Sequence, residues 1–75
     1  MDTSWYKRMR TVRMQRGITQ LKAAQALDMG IRSYQRYEEG SREPSIAMLV
    51  AIADMLDVSI DYLMGREKEY KNGKT

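Results

Sequence analysis

Polar side chains suited to hydrogen bonding with planar groups occur close together in the middle of the sequence, at Arg32, Gln35 and Arg36. Arg32 and Arg36 are four residues apart, so on an α-helix they share one face, one turn above the other. Arginine presents a fork of donors that matches the O6 and N7 acceptors of guanine, and glutamine pairs with the N6/N7 edge of adenine. Ile31 is suited to a thymine methyl group, and Ser33 is a lesser candidate. These residue types are suited to base edges if the helix that carries them enters a groove of DNA, and otherwise form a solvated helical face.

Catalytic and metal-binding side chains are scarce. The 75 residues include no cysteine and no histidine, which excludes disulfides, thiolate nucleophiles, imidazole bases and Cys- or His-ligated metals. We therefore expect no enzyme activity, no catalytic residue, no metal or other cofactor, and no small-molecule substrate. The longest apolar run, residues 46–53, is too short to span a bilayer. We expect a cytoplasmic protein with no membrane contact.

Charge is distributed unevenly along the chain, although the net charge is only +3. Residues 1–16 carry five cations and one aspartate, residues 17–43 are balanced, and residues 44–64 carry three aspartates and no cation. Residues 65–75 carry four cations and two glutamates. This distribution predicts a basic face backed by a neutral scaffold, as binding to a polyanion requires.

Helix signals are frequent and strand-like alternation is poor, so we predict an all-α fold of five short helices. Gly17 and Gly40 are placed to end the first and third helices, and Thr19, Gly30 and Ser59 to begin the second, third and fifth. Pro44 and Ser45 are predicted to open the fourth helix, with Pro44 in its first turn. The predicted core face of the fourth helix is Ile46, Leu49, Ile52, Ala53 and Leu56. We expect one domain over residues 1–65 and a polar, frayed tail over residues 66–75.

The segment from residue 18 to residue 40 is the most informative, because two short helices with a turn of three to four residues form a helix-turn-helix. The motifs are, in order, Ile18-Thr19-Gln20, Ala23-Ala24, Leu27, Tyr34, Arg36-Tyr37-Glu38-x-Gly40, Pro44-Ser45 and Leu56-x-Val58-Ser59-Ile60-Asp61-Tyr62-Leu63. In this order and spacing the chain resembles the phage repressor/Cro type of helix-turn-helix over about residues 9–64. The resemblance implies a lambda-repressor-like DNA-binding domain of five helices. It further implies a homodimer that docks the third helix in the major groove.

The same resemblance implies roles for residues that flank the third helix. Gln20 opens the second helix, where free backbone N–H groups favour an oxyanion. The matching glutamine of the family holds a phosphate and braces the first side chain of the recognition helix. Further phosphate contacts are expected from Arg10, Thr19, Ser41 and Arg42.

Arg13 and Glu38 are assigned to structure rather than to DNA contact, since the resemblance implies an ion pair joining the first helix to the end of the third. Tyr34 and Tyr37, three residues apart, are assigned to the core. Asp28 and Asp57 stand where glycines are usual after the second and fourth helices, at some cost in a left-handed conformation.

The fourth helix is apolar nearly all round, beyond what a core face needs. Such a surface is typical of a partner interface, and we predict a symmetric dimer interface there. The residues assigned to this interface are Met48, Val50, Ala51, Tyr62 and Met64.

The sequence therefore favours a sequence-specific transcriptional regulator of phage or prophage repressor type that binds a pseudo-palindromic site in double-stranded DNA. Antitoxins and restriction controllers share this fold and stay open within the DNA-binding class. The alternative from another class is a protein-interaction module of the same fold that binds no DNA.

Overall fold

The computed structural model describes residues 5–66, and within that range it contains helices and no strand. The predicted all-α fold of five helices is confirmed. The helices are α1 (Trp5–Gln15), α2 (Gln20–Ala26), α3 (Ile31–Glu39), α4 (Ile46–Leu56) and α5 (Ile60–Leu63). The predicted tail lies outside the described residues, apart from Arg66. None of these five helices has the length and apolar character needed to cross a membrane.

Hydroxyl caps begin three of the helices. The Oγ atoms of Thr19, Ser45 and Ser59 each accept a hydrogen bond from the backbone N–H three residues on, at 3.0, 3.1 and 2.9 Å. Gly30 begins α3 with extended dihedral angles and no side-chain bond. Because Ser45 is the N-cap of α4, Pro44 precedes the helix, and its predicted place in the first turn is wrong.

Left-handed residues end α3 and α4. Gly40 has φ +78°, and Asp57 has φ +60° at the position where a glycine is usual. The side chain of Arg16 reaches this second end, where its Nε donates to the carbonyl of Leu56 at 2.7 Å and its Nη2 to that of Asp57 at 3.2 Å. A cation on the last carbonyls of a helix is favourable, so Arg16 offsets part of the strain at Asp57.

One core joins all five helices. Its buried apolar residues are Met9, Val12, Ala23, Ala24, Leu27, Tyr34, Tyr37, Ile52, Ala53, Leu56, Val58 and Leu63. The prediction that Tyr34 and Tyr37 are core residues is confirmed. The prediction for Ile46 is wrong, because its side chain is 80% exposed. Ile46 is the first residue of α4, and the core packs against Met48 and Leu49 of the same turn but not against Ile46.

α1 packs against the end of α3 through an aromatic contact. The ring of Tyr6 lies against Gly40, and a Cβ atom at Gly40 would fall 2.6–2.9 Å from three of the ring atoms. Glycine is therefore required at this position both for its φ of +78° and for the close approach of Tyr6.

Candidate nucleic-acid interface

α3 divides into an inner and an outer face. The inner residues, all buried, are Tyr34, Tyr37 and Glu38. The residues expected to contact bases lie outside this set: Ile31, Arg32 and Arg36 are exposed, and Ser33 and Gln35 are half-buried. The packing of two tyrosines thus holds the helix in place while its arginines project into solvent.

A buried ion pair joins α1 to the end of α3, as the resemblance implies. The Nε of Arg13 donates to Oε2 of Glu38 at 2.6 Å, and its Nη2 donates to Oε1 at 3.3 Å. The third nitrogen, Nη1, donates to the carbonyl of Ile18 at 2.7 Å, in the turn before α2. The two side chains are 9% and 3% exposed. Arg13 therefore ties together α1, the turn before α2, and α3.

Glu38 remains ionised although it is buried. Burial by itself would raise the pKa of this carboxyl, but hydrogen bonds donated by Arg13, Tyr34 and Gln20 outweigh burial and hold the pKa below its ordinary value. Burial, and then the hydrogen bond to Glu38, raise the pKa of Tyr34, so its hydroxyl keeps its proton and donates to Oε2 of Glu38. The carboxylate thus receives several donors at once.

Two glutamines extend these contacts to the outer face of α3. The Nε2 of Gln20 donates to Oε1 of Glu38 at 3.0 Å, and the Nε2 of Gln35 donates to Oε1 of Gln20 at 3.1 Å. We call this set the Glu38 network; its members are Arg13, Gln20, Tyr34, Gln35 and Glu38. The first residue of α3 is Ile31, which has no polar side-chain atom. The contact of Gln20 that the resemblance implies for the first residue of the third helix is therefore made here to the fifth residue, Gln35.

An open cleft of about 390 Å³ adjoins the Glu38 network. Its lining residues are Arg10, Gln20, Arg32, Gln35, Glu38 and Glu39. The exposed side chain of Arg10 on α1 is therefore brought next to the polar residues of α3, which supports its expected place among the phosphate contacts. Glu39 contributes an exposed negative charge to the same cleft and reduces its attraction for anions.

The other expected phosphate contacts flank α3 on the surface. Thr19, Ser41 and Arg42 are all exposed. The hydroxyl of Ser41 donates to the carbonyl of Arg36 at 3.3 Å, at the end of the helix. The guanidinium carbon of Arg42 lies 5.5 Å from the centroid of the Tyr37 ring. This cation–π contact places a positive charge just beyond α3.

The apolar surface predicted on α4 is present, with a different distribution of exposure. Val50 is 41% exposed, and the half-buried members of the predicted interface are Met48, Ala51, Tyr62 and Met64. The most exposed large hydrophobic residue of this helix is Ile46, which was predicted to lie in the core.

The hydrogen bond from Tyr34 to Glu38 was not predicted, since Tyr34 was expected only to pack in the core. The signal was present, because Tyr34 and Glu38 are four residues apart and hence neighbours on one helical face. The bond between Gln20 and Gln35 had no comparable signal, since the two residues belong to different helices.

The fold and this face define a helix-turn-helix domain, in which α2 and α3 form the motif and three other helices support it. The chain belongs to the helix-turn-helix family, whose sequence profile matches residues 9–63.

Named relatives agree with this membership. The chain is 33% identical to the HTH-type transcriptional regulator ImmR of Bacillus subtilis (strain 168), over 92% of this chain and 54% of ImmR. It is 44% identical to the cryptic phage CTXphi transcriptional repressor RstR of Vibrio cholerae, over 64% of this chain and 43% of RstR. The chain thus spans about half the length of these relatives. Both are named as transcriptional regulators and neither as an enzyme.

A solved structure shares the fold. A transcriptional regulator from Listeria innocua superposes with a TM-score of 0.75 and 25% sequence identity, over 91% of this chain and 64% of the other.

Proposed function

We propose that this chain is a sequence-specific DNA-binding transcriptional regulator of the phage or prophage repressor type. The observation that carries the proposal is the division of α3, which buries Tyr34 and Tyr37 and leaves Arg32 and Arg36 exposed. A helix held in this way by its inner face can enter a major groove with its arginines toward the base edges. The names of the relatives ImmR and RstR support the same function.

In the bound state, contacts from α3 specify the base sequence and contacts from its flanks position the domain. Ile31, Arg32, Gln35 and Arg36 meet base edges, with Ser33 beside them. Phosphate oxygens are held by flanking groups, which fix the register of the domain but carry no sequence information. These flanking groups are Arg10, Thr19, Gln20, Ser41 and Arg42.

Paired substitutions test this division of roles. Arg36→Ala removes a base contact, so it should cost roughly 1–3 kcal/mol of binding free energy and relax the preference at one base pair. Arg42→Ala removes a phosphate contact, so it should weaken binding to selected and random duplexes about equally and flatten the salt dependence. Both can be measured by fluorescence anisotropy on a duplex selected from a random library. Identical behaviour of the two variants would contradict the assignment.

The salt dependence of binding separates this function from a protein-interaction module. Each phosphate neutralised lowers log K by about 0.9 per unit of log salt concentration on duplex DNA. A wild-type protein that binds no duplex even at low salt would contradict the proposal and favour the interaction module.

We further propose that the protein binds DNA as a homodimer whose interface is formed by α4. Ile46 and Val50 are exposed apolar side chains on one helix, and Tyr62 and Met64 follow α4 in the chain at the expected interface. To read successive major grooves of a pseudo-palindromic operator, such a dimer must hold its two copies of α3 about 34–36 Å apart.

Sedimentation equilibrium over a concentration series tests the dimer. Val50→Glu should shift the protein toward monomer and weaken operator binding. Met14→Glu is the matched control, because Met14 is a similarly exposed apolar residue (59%) on a different helix. A wild-type protein that stays monomeric at high micromolar concentration and on DNA would refute the dimer.

A further inference from the structure

The chemistry of the Glu38 network determines which of its groups donate hydrogen bonds and which accept them. An ionised carboxylate can only accept hydrogen bonds. The side chain of Glu38 is 3% exposed and paired with Arg13, so it stays ionised and its oxygens face donors. One of these donors is the amide nitrogen of Gln20, at 3.0 Å.

This acceptor sets the orientation of both amide groups. The Nε2 end of Gln20 faces the carboxylate, and its Oε1 end lies toward Gln35. That oxygen is an acceptor, so Gln35 must present its own Nε2, which lies 3.1 Å away. The acceptor at Glu38 and the packing that brings Oε1 of Gln20 against Gln35 together set which end of Gln35 faces inward.

Gln35 keeps one N–H group and its carbonyl oxygen available for a ligand. An amide has two N–H groups and one carbonyl oxygen, and one of the N–H groups is engaged by Gln20. The oxygen lies 3.5 Å from Nη1 of Arg32, at the outer limit of a hydrogen bond, so this contact is easily exchanged for a better one. Gln35 thus offers one donor and one acceptor.

We infer that Gln20 and Glu38 are positioning residues that make Gln35 selective for adenine against guanine. This inference rests on the proposed function and deepens it. Adenine presents an acceptor, N7, and a donor, the N6 amino group, which match the two groups that Gln35 keeps free. Guanine presents two acceptors, N7 and O6, and would require both N–H groups of the amide. Turning the second N–H of Gln35 outward would break its bond to Gln20 and leave the Gln20 oxygen unpaired.

The test compares base preference in three proteins: wild type, Gln20→Met, and Gln25→Met as the control. Methionine keeps an unbranched chain without amide hydrogen bonding, and Gln25 is an exposed glutamine on the same helix, outside the Glu38 network. A duplex selected by the wild type from a random library is varied at every position. We expect the wild type to prefer adenine over guanine by about tenfold or more at one position, as one bidentate pair allows. In Gln20→Met this preference should fall below about threefold, while preferences at other positions stay close to those of Gln25→Met. The melting temperature of Gln20→Met should lie below that of Gln25→Met, because the buried carboxylate of Glu38 loses one donor.

A double variant shows whether the effect of Gln20 on base preference passes through Gln35. Removing a phosphate contact at Gln20 lowers affinity for all duplexes, whereas removing a brace changes the preference only while Gln35 is present. The preference of Gln20→Met/Gln35→Met should therefore equal that of Gln35→Met alone. Side-chain amide signals of Gln35 in NMR spectra of the DNA-free protein provide a second measurement. We expect slow solvent exchange in the wild type and faster exchange in Gln20→Met.

The outcomes are distinguishable. A wild type that selects DNA while Gln20→Met retains the full adenine preference overturns this inference and leaves the proposed function standing. A wild type that selects no duplex overturns the proposed function together with the inference. Unchanged exchange of the Gln35 amide in Gln20→Met also overturns the inference.

Discussion

Substituting Arg13 by methionine tests how far the Glu38 network stabilises the fold. The variant loses two hydrogen bonds to Glu38 and one to the carbonyl of Ile18. Because the Glu38 side chain is 3% exposed, water replaces the lost donors poorly. Removing one partner of a buried pair costs about 3–5 kcal/mol. Two neutral donors, Tyr34 and Gln20, still donate to the carboxylate in the variant. We therefore expect the free energy of unfolding to fall by about 3 kcal/mol, the lower end of that range.

A loss of this size leaves the variant folded but far less stable. Domains have roughly 0.05–0.15 kcal/mol of stability per residue, which gives about 4–11 kcal/mol for a chain of this length. For a domain of this size, each 1 kcal/mol lowers the melting temperature by about 4–8 °C. We therefore expect Arg13→Met to melt about 12–24 °C below the wild type.

The loss should depend on pH with a definite sign. In the wild type the pKa of Glu38 lies below its ordinary value, so its contribution is present at neutral pH and is lost as the pH falls through that lowered pKa. In Arg13→Met the effect of burial prevails and raises the pKa above the unfolded value. The contribution of Glu38 to the free energy of unfolding of the variant is then present at low pH and is lost as the pH rises. The difference in unfolding free energy between the two proteins should therefore shrink from pH 7 toward pH 4, by at most about 1.4 kcal/mol per pH unit for one proton.

Urea unfolding at pH 7 and pH 5, followed by circular dichroism at one protein concentration, measures both effects. Arg10→Met is the matched control, since Arg10 is an exposed arginine on the same helix and its loss should cost less than about 0.5 kcal/mol. A loss below about 1 kcal/mol for Arg13→Met at pH 7, or an equal loss at both pH values, would refute this account of the pair.

Two further predictions concern the glycines around α3. Gly40→Ala should destabilise the protein more than Gly17→Ala: both positions have positive φ, which costs about 1–2 kcal/mol for alanine, but only at Gly40 does the new Cβ meet the Tyr6 ring. An equal fall in the melting temperatures of Gly40→Ala and Gly17→Ala would show that the Tyr6 ring moves aside freely. Gly30→Ser should stabilise the protein by a few tenths of a kcal/mol, about the difference between a serine and a glycine N-cap, because Gly30 has ordinary φ and open space around it. A lower melting temperature than the wild type would contradict this.

The order and bounds of the helices were predictable because local chemistry specifies them. Thr19 and Ser59 are hydroxyl caps whose bonds reach only three residues along the chain, and Gly40 supplies a left-handed residue that ends a helix. The burial of Tyr34 and Tyr37 followed from helical spacing together with the resemblance. These features depend on a few neighbouring residues, which the sequence displays directly.

Features that depend on packing between helices were not predictable in the same way. Ile46 is apolar and has the helical spacing of the α4 core residues, yet the core packs against Met48 and Leu49 of the first turn and leaves Ile46 80% exposed. The bond between Gln20 and Gln35 requires two helices to approach at a particular angle and depth. Side-chain type indicates what a residue can contact, whereas the distance between helices decides which contact it makes.

The retention of a buried ion pair beneath α3 is better explained by orientation than by stability. Replacing such a pair with apolar residues is often neutral or stabilising by about 1–4 kcal/mol, whereas breaking it is costly. The triple substitution Arg13→Met, Tyr34→Phe and Glu38→Leu removes the buried charges and the hydroxyl together. We expect the triple variant to be more stable than Arg13→Met in urea unfolding, since no buried charge is left unpaired.

The same triple variant should lose the adenine preference of Gln35. Without an acceptor-only group in the core, Gln20 can present either end of its amide, and the orientation of Gln35 is no longer fixed. Base preference measured on the selected duplex should then resemble that of Gln20→Met. A triple variant that is stable and keeps the full preference would show that Gln35 is oriented by the DNA itself, and that the charge beneath α3 serves only the fold.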